Sequence, residues 1–182
     1  MSTILQPCPV PWKISPSSSG VTLCHNESDP RPKCTVVFGG GRLQKTGSID
    51  SRRIEISFEE CWFARSAPKP DDKGIEAVGF EVIDNSSTSD GDYLEWLRSE
   101  WNRTGNCPRS GFYVATESSW LHSLSERHQA GSKHYVVSGR DGYVELIAKN
   151  YEWREWLWQD SHREDAPNRG PVIAQGRSQP NS

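Results

Sequence analysis

Residues 134–158 read HYVVSGRDGYVELIAKNYEWREWLW: two β-rich runs around a tight turn, then a stretch carrying three of the eight tryptophans. The turn is Ser138-Gly139-Arg140-Asp141-Gly142, and Asp-Gly tolerates the positive φ that hairpin turns require. Entering it, Tyr135 and Val137 share one face; leaving it, Val144, Leu146 and Ala148 alternate with Tyr143, Glu145 and Ile147. Apolar residues on both faces predict a central hairpin rather than an edge pair. Past Asn150 the parity slips, with Tyr151 and Trp153 on one face and Trp156 and Trp158 on the other. A bulged strand accommodates the slip, and so does a short terminal helix, because Trp153, Trp156 and Leu157 are spaced i, i+3, i+4.

Upstream, Cys34-Thr-Val-Val-Phe38 reads as a strand closed by Gly39-Gly40-Gly41. The glycines are not followed by Lys-Ser/Thr or by a helical segment, so they predict a hairpin or bulge, not a phosphate loop. From Arg53 to Ala67, Ile54, Ile56 and Phe58 alternate cleanly with Glu55, Ser57 and Glu59, and then the parity flips to Cys61 and Phe63. A bulge at Glu59-Glu60 accounts for the flip. Ile75 to Ile83 predicts a third strand and Phe112 to Thr116 a short fourth one. Helices are expected from Asp92 to about Arg103, with a stripe of Tyr93, Leu94, Leu97 and Trp101 ended by Gly105, and from Trp120 to about Gln129, opened by Ser118 or Ser119. Trp96 falls off the first stripe and is a candidate exposed aromatic.

The class these elements imply is α+β: a mainly antiparallel twisted sheet of about five to six strands with two short helices packed on one face. Residues 1–33 are rich in Pro, Ser and Cys and read as an arm anchored through Trp12; 34–158 form one domain; 159–182 form a polar tail with the composition of disorder. A length of 182 residues suits one domain, and with 34% hydrophobic residues the core must lean on aromatics.

The net charge of −3, the pI near 6.0 and the scattered cations argue against nucleic acid as a partner. No apolar run reaches the ~18 residues of a membrane span, and the start has neither a basic nor an apolar leader region. The expectation is therefore a cytoplasmic protein with reduced thiols. Five cysteines with no CxxC pair fit that setting, and an imagined zinc site from Cys8, Cys24, His25 and Cys34 lacks the two close ligand pairs of structural zinc.

One group has catalytic residue types. His122, His128 and His134, followed by Asp141 and Glu145, could bind a metal or act as acid and base. His122 and His128 are six apart on a helix, though, and so point to different faces. The stronger signal is the aromatic excess. Trp96, Tyr151, Trp153, Arg154, Trp156 and Trp158 have the composition of protein interfaces and are the expected binding residues. The function expected is a non-enzymatic acidic binding module working through a protein partner, such as an inhibitor or immunity-type protein, with no cofactor and no metal. A metal-assisted hydrolase using His122, His128 and His134 is the alternative.

Overall fold

In a computed structural model the chain is described at residues 3–16, 20–26, 31–70, 74–83, 92–157 and 174–177. The central hairpin forms as the pattern requires. Strands β9 (Lys133–Ser138) and β10 (Gly142–Ala148) pair antiparallel with Val144 opposite Val137 and Leu146 opposite Tyr135. Both faces of the pair are covered, so the hairpin is central.

Around it lie β1 (Thr3–Pro7), β2 (Lys13–Ile14), β3 (Thr22–Asn26), β4 (Lys33–Gly41), β5 (Arg52–Glu59), β6 (Phe63–Pro68), β7 (Phe80–Val82), β8 (Phe112–Thr116), β11 (Asn150–Leu157) and β12 (Ala174–Arg177). One sheet runs β6-β10-β9-β8-β1-β7; the other runs β12-β11-β5-β4-β2, with β3 also on β4. Among the described residues every strand pairing is antiparallel except β1 with β7. The class is α+β and mainly antiparallel. The strands, expected to number five or six in one sheet, are divided between two six-stranded sheets.

The parity flip at residue 60 marks the place where the two sheets meet. Glu60 has φ 48°, and the chain turns there from β5 in one sheet to β6 in the other. Beside it β10 runs into β11 through Lys149 alone. The Lys149 N–H donates to the Glu59 carbonyl at 3.1 Å, the Trp62 N–H to that of Ile147 at 2.8 Å, and Lys149 Nζ meets Glu60 Oε2 at 2.7 Å. Two adjacent strands thus change sheet together. A local bulge was the sequence expectation; the finding is a corner shared by two sheets.

The opposite margin is closed by the segment expected to be an arm. Its prolines break the ladder pattern, which is why periodicity did not reveal strands there. In the structure β1 lies between β8 and β7, and β2 sits on the glycine end of β4. A Cβ on Gly40 would fall 2.7 Å from the Lys13 carbonyl and 2.4 Å from Ile54 Cδ1. Gly40 thus leaves the room by which β2 approaches, and Gly41, whose Cβ would fall 2.0 Å from the Asp50 carbonyl, makes room for the β4–β5 loop. Leu5, Val10 and Trp12 are fully buried. Trp12 packs against Phe38 at 5.3 Å, Phe112 at 6.1 Å and Trp153 at 6.2 Å, joining side chains from both sheets. Phe58, Tyr135 and Tyr151 complete this aromatic core, Phe112 and Tyr151 lying 4.8 Å apart edge to face.

Other expectations are redrawn by tertiary contacts. Residues 75–83 hold a 3-10 turn (Ile75–Val78) and the three-residue β7, not one strand, because Gly79 at φ 93° turns the chain. Helix α1 (Tyr93–Thr104) ends at Gly105 as expected, with Leu97 and Trp101 buried. The second helix is two four-residue turns, α2 (Ser119–His122) and α3 (Glu126–Gln129), divided where Ser125 adopts an extended backbone. In the tail, Ala174–Arg177 adds β12 to the edge of β11. Among the described residues no helix is long and apolar enough to cross a membrane.

Candidate functional site

The six expected binding residues are not presented together. Tyr151, Trp153 and Trp156 are only 4%, 6% and 5% exposed, so they serve packing and offer no contact surface. Tyr151 and Trp153 point into the inter-sheet core. Trp153 is also covered by β12: Gly176 lies opposite it, and a Cβ there would be 2.4 Å from the indole nitrogen. Glu155, on the same strand, is fully buried and takes Arg42 Nε at 2.9 Å and Arg52 Nη1 at 2.7 Å. Only Arg154 and Trp96 retain surface. Trp158 lies outside the described residues.

The three histidines do not converge on a metal geometry; among the described residues no three His, Cys, Asp or Glu side chains could hold a metal ion. His122 is exposed on α2, and His128 rests on Trp62 at 5.2 Å and on Phe63 at 5.3 Å. His134 is buried in β9. Its Nδ1 lies 2.7 Å from Ser118 Oγ and its Nε2 is 3.0 Å from Glu145 Oε2, a close but poorly aligned approach. Arg65 donates to both Glu145 oxygens, at 2.8 and 2.9 Å, and stacks 4.2 Å over Trp120.

Ser, His and Glu lying side by side in this order are the residue types of an acyl-transfer triad. Here they are 2%, 1% and 3% exposed. A substrate carbonyl cannot reach Ser118 Oγ, which already accepts the Leu121 N–H as the cap of α2. The cluster pins α2 and the β6 edge to the hairpin.

Its electrostatics give a testable consequence. Burial opposes charge on Glu145, but the close His134 ring and the hydrogen bonds and charge of Arg65 outweigh that and hold the carboxyl below its usual range. A carboxylate depressed in the folded state adds stability above its unfolded pKa of about 4.3, and loses it as pH falls through the folded value. Urea midpoints should therefore drop as pH is lowered from about 5 toward 3, and Glu145→Gln should shrink that drop. An unchanged drop in the variant would show that the carboxyl is not held by its partners.

Two adjoining surface features stand out among the described residues. The first is apolar. Leu94, counted with the inward stripe of α1, lies in the first turn of that helix and is instead 62% exposed; Ile49 is 51% exposed. Leu43 bridges Ile49 in the β4–β5 loop and packs, with Tyr93 and Trp96, on the cluster of Leu97, Trp101 and Cys107. The second is a hollow of about 330 Å³ between β2, the β9–β10 turn, the 3-10 turn and the start of α1. Tyr93 belongs to both. Periodicity could not have found either feature, because their members come from loops and strand ends distant in sequence. The one partial signal was Trp96, out of phase with its helix stripe.

No protein-family model, no curated protein and no solved structure matches this chain.

Proposed function

We propose that this chain is a non-enzymatic acidic binding module acting through protein contacts, as an inhibitor or immunity-type partner does, and that it meets its partner on the apolar surface at the start of α1. The observation that carries this reading is the apolar surface at the start of that helix. Leu94, in the first turn of the helix, and Ile49, bridged to Leu43, are largely solvent-exposed, while Leu43, Tyr93 and Trp96 are held half-buried on the Leu97–Trp101 cluster. Grouped apolar side chains on a rigid support favour association, because burying them costs little further ordering. Exposed Glu95 and Arg98 on the same helix supply a polar rim. Trp96 is the aromatic suited to anchor the contact. The setting proposed is the cytoplasm, in keeping with five cysteines that are all free.

The test is affinity capture from the source cell on immobilised wild-type chain, run beside Leu94→Asp. A protein retained by the wild type and lost by the variant supports the reading. A partner retained equally by both places the interface elsewhere.

A further inference from the structure

We infer that Cys34 and Cys61, two adjoining thiols at the corner between the sheets, are a redox pair that hydrogen peroxide joins in a disulfide. This is independent of the protein contact proposed above. Cys34 is the first buried residue of β4 and lies opposite Phe58 of β5, both facing the inter-sheet core. Past Phe58 the chain turns at Glu60, and the Cys61 N–H then donates to the Pro32 carbonyl at 2.8 Å. That bond brings Cys61 back alongside the start of β4, with its thiol in the same core cluster as Cys34. The Cys61 thiol donates to the Cys34 sulfur and has the Phe63 carbonyl as a second acceptor at 3.7 Å. Both cysteines are buried, yet exposed Lys33, Glu59 and Phe63 flank them, so the pair lies just beneath the surface of the corner.

The two thiols differ in reactivity. The hydrogen bond from Cys61 favours a thiolate on Cys34 and holds its pKa below the usual thiol value, against the effect of burial. Cys61 is pushed up, first by donating that bond, then by burial and by charge on Cys34. Burial also pushes up Cys8, and Cys107 to about 11. The thiolate is the nucleophile, so Cys34 reacts first and Cys61 resolves. Cys34 attacks one peroxide oxygen; the O–O bond breaks, hydroxide leaves and is protonated to water, and Cys34 becomes a sulfenic acid. The Cys61 sulfur then attacks the Cys34 sulfur and gives up its proton, and the sulfenic oxygen departs as a second water. The pair loses two electrons and two protons, and the peroxide is reduced to two waters.

The bridge closes the chain from Cys34 to Cys61, which holds β5, nearly all of β4 and the loop between them. It restricts the unfolded chain, and so makes the corner harder to open. The folded chain changes little, because the sulfurs move only from hydrogen-bond contact to a bond length of about 2.05 Å.

Peptide mapping of the full chain tests this. The folded protein is treated with hydrogen peroxide in the absence of denaturant, remaining thiols are alkylated, and the peptides are mapped without reduction. The expectation is a linked Cys34–Cys61 peptide that dithiothreitol separates. The oxidised chain should melt about 5 °C above the reduced one. In Cys61→Ala the reaction should stop at a Cys34 sulfenic acid, trapped by dimedone; in Cys34→Ala, Cys61 should not be trapped. Cys24→Ser, which removes an exposed thiol, should leave the link intact. The mapping uses the wild-type chain, so it decides the matter even if an alanine variant fails to fold. A link that forms only in urea, oxidation confined to Cys24, or an oxidised chain that melts no higher than the reduced one overturns the inference.

Discussion

Replacing Trp12 by Ala should cost about 3–5 kcal/mol, enough to leave the protein near its unfolding threshold. Trp12 is fully buried and packs against Phe38 and Trp153 of one sheet and stacks on Phe112 of the other. Removing it opens a cavity at the junction, where neither sheet can relax inward without breaking the β2–β4 or β1–β8 pairing. Trp12→Phe should be much milder: it keeps a ring in place and deletes an indole N–H that is buried without a partner. Urea denaturation of the two variants measures this. A loss below about 1 kcal/mol for Trp12→Ala would return residues 3–14 to the status of a surface arm.

The second large effect is expected at Glu155, where Ala should cost about 3 kcal/mol or more. Its carboxylate has no exposed surface and holds Arg42 and Arg52 from across the sheet, with Asp50 binding Arg52 at 2.6 Å and the Arg42 N–H at 2.8 Å. Deleting Glu155 leaves two guanidiniums sharing one carboxylate, with Arg52 largely buried. Asp50 still compensates part of the charge, which keeps the loss at the lower end of the range for broken buried pairs. The exposed Glu100–Arg103 pair is the control: Glu100→Ala should change stability little, as surface pairs do. Equal effects at the two sites would mean that the buried network is not what fastens β11 to the β4–β5 loop.

How legible this was in the sequence depends on the distance over which each feature is determined. The β9–β10 hairpin is set by a five-residue turn and by neighbouring alternation, so the pattern alone located it. The flip at Glu60 was visible as an anomaly, but its cause is a sheet change made jointly with Lys149, far along the chain. Strands β1 and β2 were hidden because Pro7, Pro9 and Pro11 interrupt any alternation, and because β2 is two residues long. In β11 the expectation failed for a similar reason. Glu155 is a carboxylate whose burial Arg42 and Arg52 make tolerable, and both come from elsewhere in the chain; Trp156, expected to bind a partner, is buried on the opposite face. The apolar surface was half legible. Trp96 was out of phase and stood out, while Leu94 was in phase with Leu97 and Trp101 and so looked internal. The hollow was not legible at all, since Lys13 and Arg109, which both line it, meet only through the fold.

The central claim is that recognition runs through the apolar surface at the start of α1 and not through the aromatics of β11. The direct measurement is the partner's Kd, taken together with the melting temperature, for Leu94→Asp and Trp156→Ala. The account predicts that Leu94→Asp weakens binding by about 30-fold, as loss of a ~2 kcal/mol anchor does, with its melting temperature unchanged. It predicts that Trp156→Ala lowers the melting temperature far more than it affects binding by the folded fraction. Full affinity in Leu94→Asp, with lost affinity in a fully folded Trp156→Ala, would contradict it.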